Sequence, residues 1–264
     1  RPPAAGTSPG ALGWPSTSAQ ASCPRPGSPA CPATTVGFPA SHNLHSTKES
    51  RDQLPNQGKT WNTWPQALRD REAKALNAAK KELSERINRE KFLQLQFYRQ
   101  WNMLKAYCKE KGVHMFGDLP FYINLNSADI WSFPEYFKLD KSKKPLLVSG
   151  VPPDYFSETG QLWGTPVYDW DRLKKDRFVW WKYRILHNFK FFDLLRLDHF
   201  RAFSACWEVP AEEETAMNGK WTEVPGEDFF RGIKRLKVDD KIIAEDLGDI
   251  DQPVVDLMKK FNFP

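Results

Sequence analysis

Two short apolar runs, FFDLLRL at 191–197 and KIIA at 241–244, lead directly into carboxylates, Asp198 and Glu245, and this pairing constrains the fold more than any other feature. Between them GEDFFRGIKRLK sets Phe229, Phe230, Ile233 and Leu236 at helical spacing. Strand, helix, strand is the parallel crossover unit, so Asp198 and Glu245 are expected at the carboxyl ends of parallel strands. In α/β folds that edge carries the chemistry. Alternation along the first strand puts Arg196 and Asp198 on one side and Leu195 and Leu197 on the other.

An arginine beside an acid at a strand end reads either as a structural ion pair or as part of a catalytic pair. Two carboxyl groups at such an edge can flank a glycosidic bond, and a retaining reaction needs them roughly 5 to 5.5 Å apart. Arg196 is expected to keep Asp198 ionised, as a nucleophile requires. Ile242, Ile243 and Ala244 before Glu245 predict apolar surroundings that favour a neutral acid.

Five blocks extend the signal: GDLPFYI at 117–123, SADIW at 127–131, GVPPDYFSETGQLWG at 150–164, RLDHFRAF at 196–203 and AEDLG at 244–248. In this order, with WEVP, NGKW and PG between, they resemble the 4-alpha-glucanotransferases, or amylomaltases, of glycoside hydrolase family 77. The resemblance runs from about Trp61 to Pro264. It implies part of an α-amylase-like (β/α)8 TIM barrel with long loop insertions, acting on α-1,4-glucans without a cofactor. It also implies Asp198 as nucleophile and Glu245 as general acid and base. Arg196, His199, Asp118, Asp154, Tyr155, Phe156 and Trp163 fall on positions that such a site would use to hold sugar. Asp118 is equally readable as a loop cap. Trp207 and Trp221 are further candidate sugar platforms.

Composition agrees with a carbohydrate site. Aromatics make up 14% of the 264 residues, with 11 Trp, and Trp offers sugar rings a flat apolar face. The net charge of +5 is spread among acids, without the basic stripe that tracks a phosphate backbone, so nucleic acid is excluded as a partner. No run of about 18 apolar residues suggests a membrane span. Four scattered cysteines and five histidines lack metal-ligand spacing, and no metal is expected. A reduced setting, cytoplasmic or plastid, fits these features.

Residues 1–52 are rich in Pro, Ser, Ala, Thr and Gly, have no acid before Glu49, and are expected to be disordered. Residues 53–264 read as a partial barrel lacking its first and last strands. A long helical tract is predicted from Trp61 to a stop at Gly112, with Leu68, Leu76, Leu83, Phe92, Leu95, Trp101 and Leu104 on one buried face. A strand then runs to Asp118. Residues 127–170 read as one long irregular loop whose centre, with Tyr155, Phe156 and Trp163 among Gly150, Gly160 and Gly164, suits a hinged aromatic lid. Asp171 to Lys190 reads as one helix, SACWEVPAEEETAMNGKWTEVPGE as an irregular excursion, and PVVDLMKKF as a last helix.

The family's third essential carboxylate, in a His-Asp motif, has no counterpart before Pro264. The chain taken alone is therefore expected to be inactive, and a catalytically dead glucan-binding fragment is the alternative reading. Asn126 and Ala202 depart from the family's acid and glycine at those places.

Overall fold

The computed structural model describes residues 60–248 and 250–264, so the expectation for residues 1–52 lies outside the described residues. After a 3-10 turn at Trp61–Thr63 come helices α1 (Gln66–Arg69), α2 (Ala73–Glu82) and α3 (Ser84–Glu110). The single tract expected from Trp61 is thus broken. Pro65 precedes α1, Arg71 takes the left-handed region at φ 60°, and Leu83 leaves helical geometry at ψ 16°.

The expected apolar face is also not a buried one. Phe92 is 57% exposed and Leu95 55%, and no residue of α3 is fully buried. Contact concentrates around Trp101, whose indole N–H donates to Phe191 O at 3.0 Å, and Tyr98, whose ring lies 5.1 Å from that of Phe191. The predicted stop is correct in position and chemistry. Gly112, at φ 69°, donates to Lys109 O, and Val113 donates to Cys108 O at 2.8 Å, so the glycine closes two orphan carbonyls.

Strand β1 (Phe116–Leu119) follows, then the short helix α4 (Ala128–Ser132) capped by Ser127. The region read as one irregular loop holds β2 (Leu147–Val151) and β3 (Gln161–Pro166), a hairpin. Helices α5 (Trp170–Lys175) and α6 (Val179–Asn188) replace the single helix expected there. Arg177 and Phe178 both sit at φ 55°, which an α-helix cannot contain, and the resulting bend buries Phe178.

Strand β4 (Leu194–Leu197) leads through the 3-10 turn Phe200–Phe203 into β5 (Ala205–Pro210) and β6 (Lys220–Glu223), where the sequence suggested an irregular excursion. Helix α7 (Gly226–Lys234), strand β7 (Ile242–Ala244) and helix α8 (Gln252–Phe261) complete the order as expected.

The strands form two sheets. One is parallel, in the order β1-β4-β7, with Asp118 opposite Arg196 and Leu197 opposite Ala244. Beyond β7, the Ala244 amide donates to Pro264 O at 3.1 Å. The other sheet is antiparallel, β3-β2-β5-β6, with Leu147 opposite Pro210. A Cβ at Gly150 would lie 2.5 Å from Gln161 O, and this close backbone approach is what places glycine inside β2. Gly150 is therefore a packing residue in a strand and not a hinge.

The main core is aromatic. Phe121, Tyr168, Trp181, Phe200, Phe203, Phe229 and Phe230 are fully buried, and α7 delivers its Phe pair and Ile233 as its spacing predicts. Truncating any one of these large rings to Ala would cost about 3–5 kcal/mol. Phe121, Phe200 and Phe203 lie in segments just past β1 and β4, so the core fixes the sheet edge where the acids stand.

Candidate active site

The parallel ladder continues one residue beyond each strand. Asp198 N donates to Leu119 O at 3.1 Å, and Glu245 N donates to Leu197 O at 3.2 Å. Both acids are therefore held by backbone bonds at the carboxyl edge, as expected.

They meet at Arg196. Its Nε and Nη2 hold both oxygens of Asp118, at 2.8 and 3.0 Å. Nη2 also reaches Asp198 Oδ1 at 3.2 Å, and Nη1 lies 3.6 Å from Glu245 Oε1. One guanidinium thus faces three carboxylates on three adjacent strands. The fork geometry of Arg permits this, whereas a lysine's point charge would not hold two oxygens of Asp118 in plane.

This sharing limits one expectation, since Arg196 favours the charged form of Asp198 as expected but does not dominate its surroundings. The Asp198 carboxyl is pushed above its ordinary value, first by burial and then by the negative charges of Glu245 and Asp118, with Arg196 only partly opposing. Arg196 gives its bidentate face to Asp118, so its effect on Asp198 is diluted. The expected apolar setting of Glu245 is corrected as well. Its Oε2 accepts the His199 backbone N–H, and its Oε1 faces Arg196.

His199 presents that amide from a left-handed turn at φ 51°. Its ring is half-buried against Trp163, with centroids 4.9 Å apart, Tyr122 at 6.0 Å and Phe121 at 6.3 Å. Burial, reinforced by the nearby Arg201 charge, lowers the imidazole to about 4. The ring is therefore neutral near pH 7 and acts as an uncharged wall. Trp163 and Tyr122 lie edge to face at 6.0 Å, so β3 and the segment after β1 converge on the turn that carries His199. That segment is fixed by Arg184, which donates to Pro120 O at 2.7 Å and to Phe121 O at 3.3 Å.

Asp154, Tyr155 and Phe156 occupy the β2–β3 hairpin loop. Asp154 Oδ1 accepts the amides of Phe156 and Ser157 at 2.9 and 2.8 Å, which makes it the turn-former of this loop. Tyr155 and Phe156 are 96% and 90% exposed and touch each other edge to face. Trp207 and Trp221 face each other across β5 and β6, with centroids 5.2 Å apart. The Trp207 indole donates to Ala216 O, and Trp221 covers the Arg201 guanidinium, so both rings already serve packing.

The sequence assigns no role to Tyr122 or Arg201, although Tyr122 sits inside GDLPFYI and Arg201 inside RLDHFRAF. Their signal was the block itself, since no spacing argument distinguishes them from core residues.

A family model described as 4-alpha-glucanotransferase, glycoside hydrolase family 77, matches residues 51–264. The chain belongs to that family. Among glycoside hydrolase family 77 relatives, a 4-alpha-glucanotransferase of Aquifex aeolicus is 48% identical, over 79% of this chain and 43% of the relative. One of Thermus thermophilus is 45% identical, over 78% and 41%. A chloroplastic/amyloplastic 4-alpha-glucanotransferase of Solanum tuberosum is 43% identical, over 78% and 36%. An amylomaltase of Streptococcus agalactiae, solved in complex with acarbose, superposes with a TM-score of 0.75 at 43% identity, over 78% of this chain and 42% of that one.

The chain therefore spans about two fifths of the length of the curated bacterial relatives it matches. The three parallel strands and their helices are part of a TIM-type (β/α)8 barrel, and the antiparallel sheet is an insertion upon it. Among the described residues, no helix is long and apolar enough to cross a membrane.

Proposed function

We propose that the protein carrying this chain is a retaining 4-alpha-glucanotransferase that moves α-1,4-glucan segments between maltodextrin chains. In the first step the Asp198 carboxylate attacks the anomeric carbon, the glycosidic C–O bond breaks, and Glu245 in its acid form protonates the departing 4-oxygen. In the second step Glu245 takes the proton from an acceptor 4-hydroxyl, which displaces Asp198 and restores the α linkage. No cofactor is required, because both steps are carried by the two carboxyl groups.

The observation that carries this reading is the single guanidinium of Arg196 in reach of both Asp198 and Glu245 at the edge of neighbouring parallel strands. It puts the two acids in one compartment. Asp118 holds that guanidinium and sets its plane. His199 and Trp163 form the apolar side wall on which a sugar ring can rest. Tyr155, Phe156 and their Asp154 turn stand ready to cover an acceptor glucan and keep water from the covalent intermediate. The glucans of the cytoplasm or a plastid are the fitting substrates.

Incubating the protein with maltotriose tests this. Disproportionation yields glucose and longer maltodextrins with no rise in reducing ends, and Asp198→Asn abolishes it. A rise in reducing ends without longer products would make the protein a hydrolase, and no product at all would reject the reading.

A further inference from the structure

The cation that follows the acid turn, Arg201, is 5% exposed. Its Nη1 donates to Ala205 O at 3.2 Å, and its Nη2 pairs with Asp251 Oδ2 at 3.2 Å. The guanidinium carbon lies 3.5 Å from the centroid of the Trp221 ring. Asp251 divides its two oxygens, since Oδ1 accepts the Val254 amide and caps α8. Arg201 thus joins three segments: the turn after β4, which carries Asp198 and His199; the segment after β7, which carries Glu245 and reaches Asp251; and β6 of the inserted sheet.

Burying a guanidinium is expensive in desolvation, so its placement needs a return. Stacking on Trp and a charged acceptor recover part of the cost. Its stated contacts tie segments that carry the site, and its charge also bears on the His199 imidazole.

We infer that Arg201 is a positioning residue that sets the relative placement of Asp198 and Glu245 by clamping the segments after β4 and β7 to each other, with Trp221 locking the clamp to the inserted sheet. The clamp works through the His199 turn. That turn presents the amide which holds Glu245 Oε2, and Arg201 anchors it two residues further on. A small shift of either segment would change both the acid-to-acid separation and the His199–Glu245 hydrogen bond. Misplacement by about 1 Å can cost on the order of a hundredfold in rate.

The inference rests on the proposed transferase reading, and the test separates the two. Arg201→Lys keeps a cation for Asp251 but loses the planar stack and the fork that reaches Ala205 O and Asp251 Oδ2 together, while Asp251→Asn keeps the α8 cap and loses the ion pair. In the whole protein, each variant should lower kcat about tenfold or more, leave KM within about twofold, and shift the limbs of the pH profile. Trp221→Phe should recover most of the activity that Trp221→Leu loses. Carbon-13 carboxyl titrations of Asp198 and Glu245 should show weaker mutual coupling in Arg201→Lys than in the parent. If the parent protein transfers glucan and the variants keep its kcat, pH limbs and carboxyl titrations, the positioning role is wrong. If the parent shows no transfer, the functional reading fails, and the carboxyl titrations alone still decide the clamp. Should Arg201→Lys fail to fold, Asp251→Asn decides the question by the same measurements.

Discussion

Asp118 and Arg196 are direct cross-strand partners on β1 and β4, and their two-point ion pair uses the same Nη2 that reaches Asp198. The nucleophile candidate therefore shares its cation with a neighbour. Asp118 raises the Asp198 carboxyl by its own negative charge, alongside burial and Glu245. Asp198 must be ionised to attack, so activity falls as pH drops through its raised value. Asp118→Asn should move this acid limb of kcat/KM to lower pH, because it removes a repelling charge and leaves Arg196 freer for Asp198. A pH–rate profile on maltotriose measures it, and a limb that stays in place or rises contradicts the sharing.

The same shift has a stability consequence. A carboxyl raised in the folded state favours folding in its protonated form, and that contribution is lost as pH rises through the raised value. At neutral pH the charged Asp198 is therefore a burden. Asp198→Asn should abolish transfer, by about 10⁴-fold or more, yet raise the melting temperature at pH 7. A lower melting temperature would show that Arg196 depends on Asp198 more than the geometry indicates.

His199 titrates in the opposite sense. Its imidazole is lowered from 6.5 to about 4, so the unfolded chain takes up the proton first. The stability that this group contributes is complete above pH 6.5 and is lost as pH falls toward 4, amounting to about 3 kcal/mol at the acid end. Asn tolerates the left-handed turn at φ 51°, so His199→Asn should keep the fold and flatten the stability profile in this window. Denaturant melts at pH 7 and pH 4.5 for both proteins give the difference.

Asp198 and Glu245 were legible from sequence because their signals are local. Each follows a mainly apolar strand, interrupted before Asp198 by Arg196, and the amphipathic α7 between them predicts a parallel crossover. The rest depended on distant partners. The Asp198 shift turns on Asp118, which the register of β1 brings opposite Arg196, and no local pattern around Asp198 reports it. The inserted sheet pairs Leu147 with Pro210, and its short strands carry glycines that read as loop. The break between α5 and α6 rests on Arg177 and Phe178 in left-handed geometry, a conformation neither residue type advertises. The exposed face of α3 shows the converse, since helical spacing predicts a face to bury without saying what buries it.

Two glycines of the hairpin give a paired test of close packing. At Gly160, φ is 68° and a Cβ would lie 2.4 Å from Val151 O, whereas at Gly164, φ is 72° with nothing within 4 Å. Gly164→Ala should cost only the left-handed penalty of about 1–2 kcal/mol. Gly160→Ala adds a backbone clash and should cost clearly more, with loss of the β2–β3 pairing. Urea unfolding ranks the two, and equal costs would argue against the tight approach.

The tip of that hairpin separates function from stability. Tyr155 and Phe156 are 96% and 90% exposed, so truncating both removes almost no buried area. Tyr155→Ser with Phe156→Ser should leave the melting temperature unchanged, and the Asp154 turn, built from backbone amides, should persist. If the pair covers the acceptor, its loss admits water to the glycosyl-enzyme on Asp198, and the ratio of transfer to hydrolysis should fall about tenfold while consumption of donor changes little. Reducing-end release alongside maltodextrin products resolves the two fates of one intermediate. A ratio that holds while both rates drop together would instead place the aromatics on the donor side, where they bind glucan before Asp198 attacks.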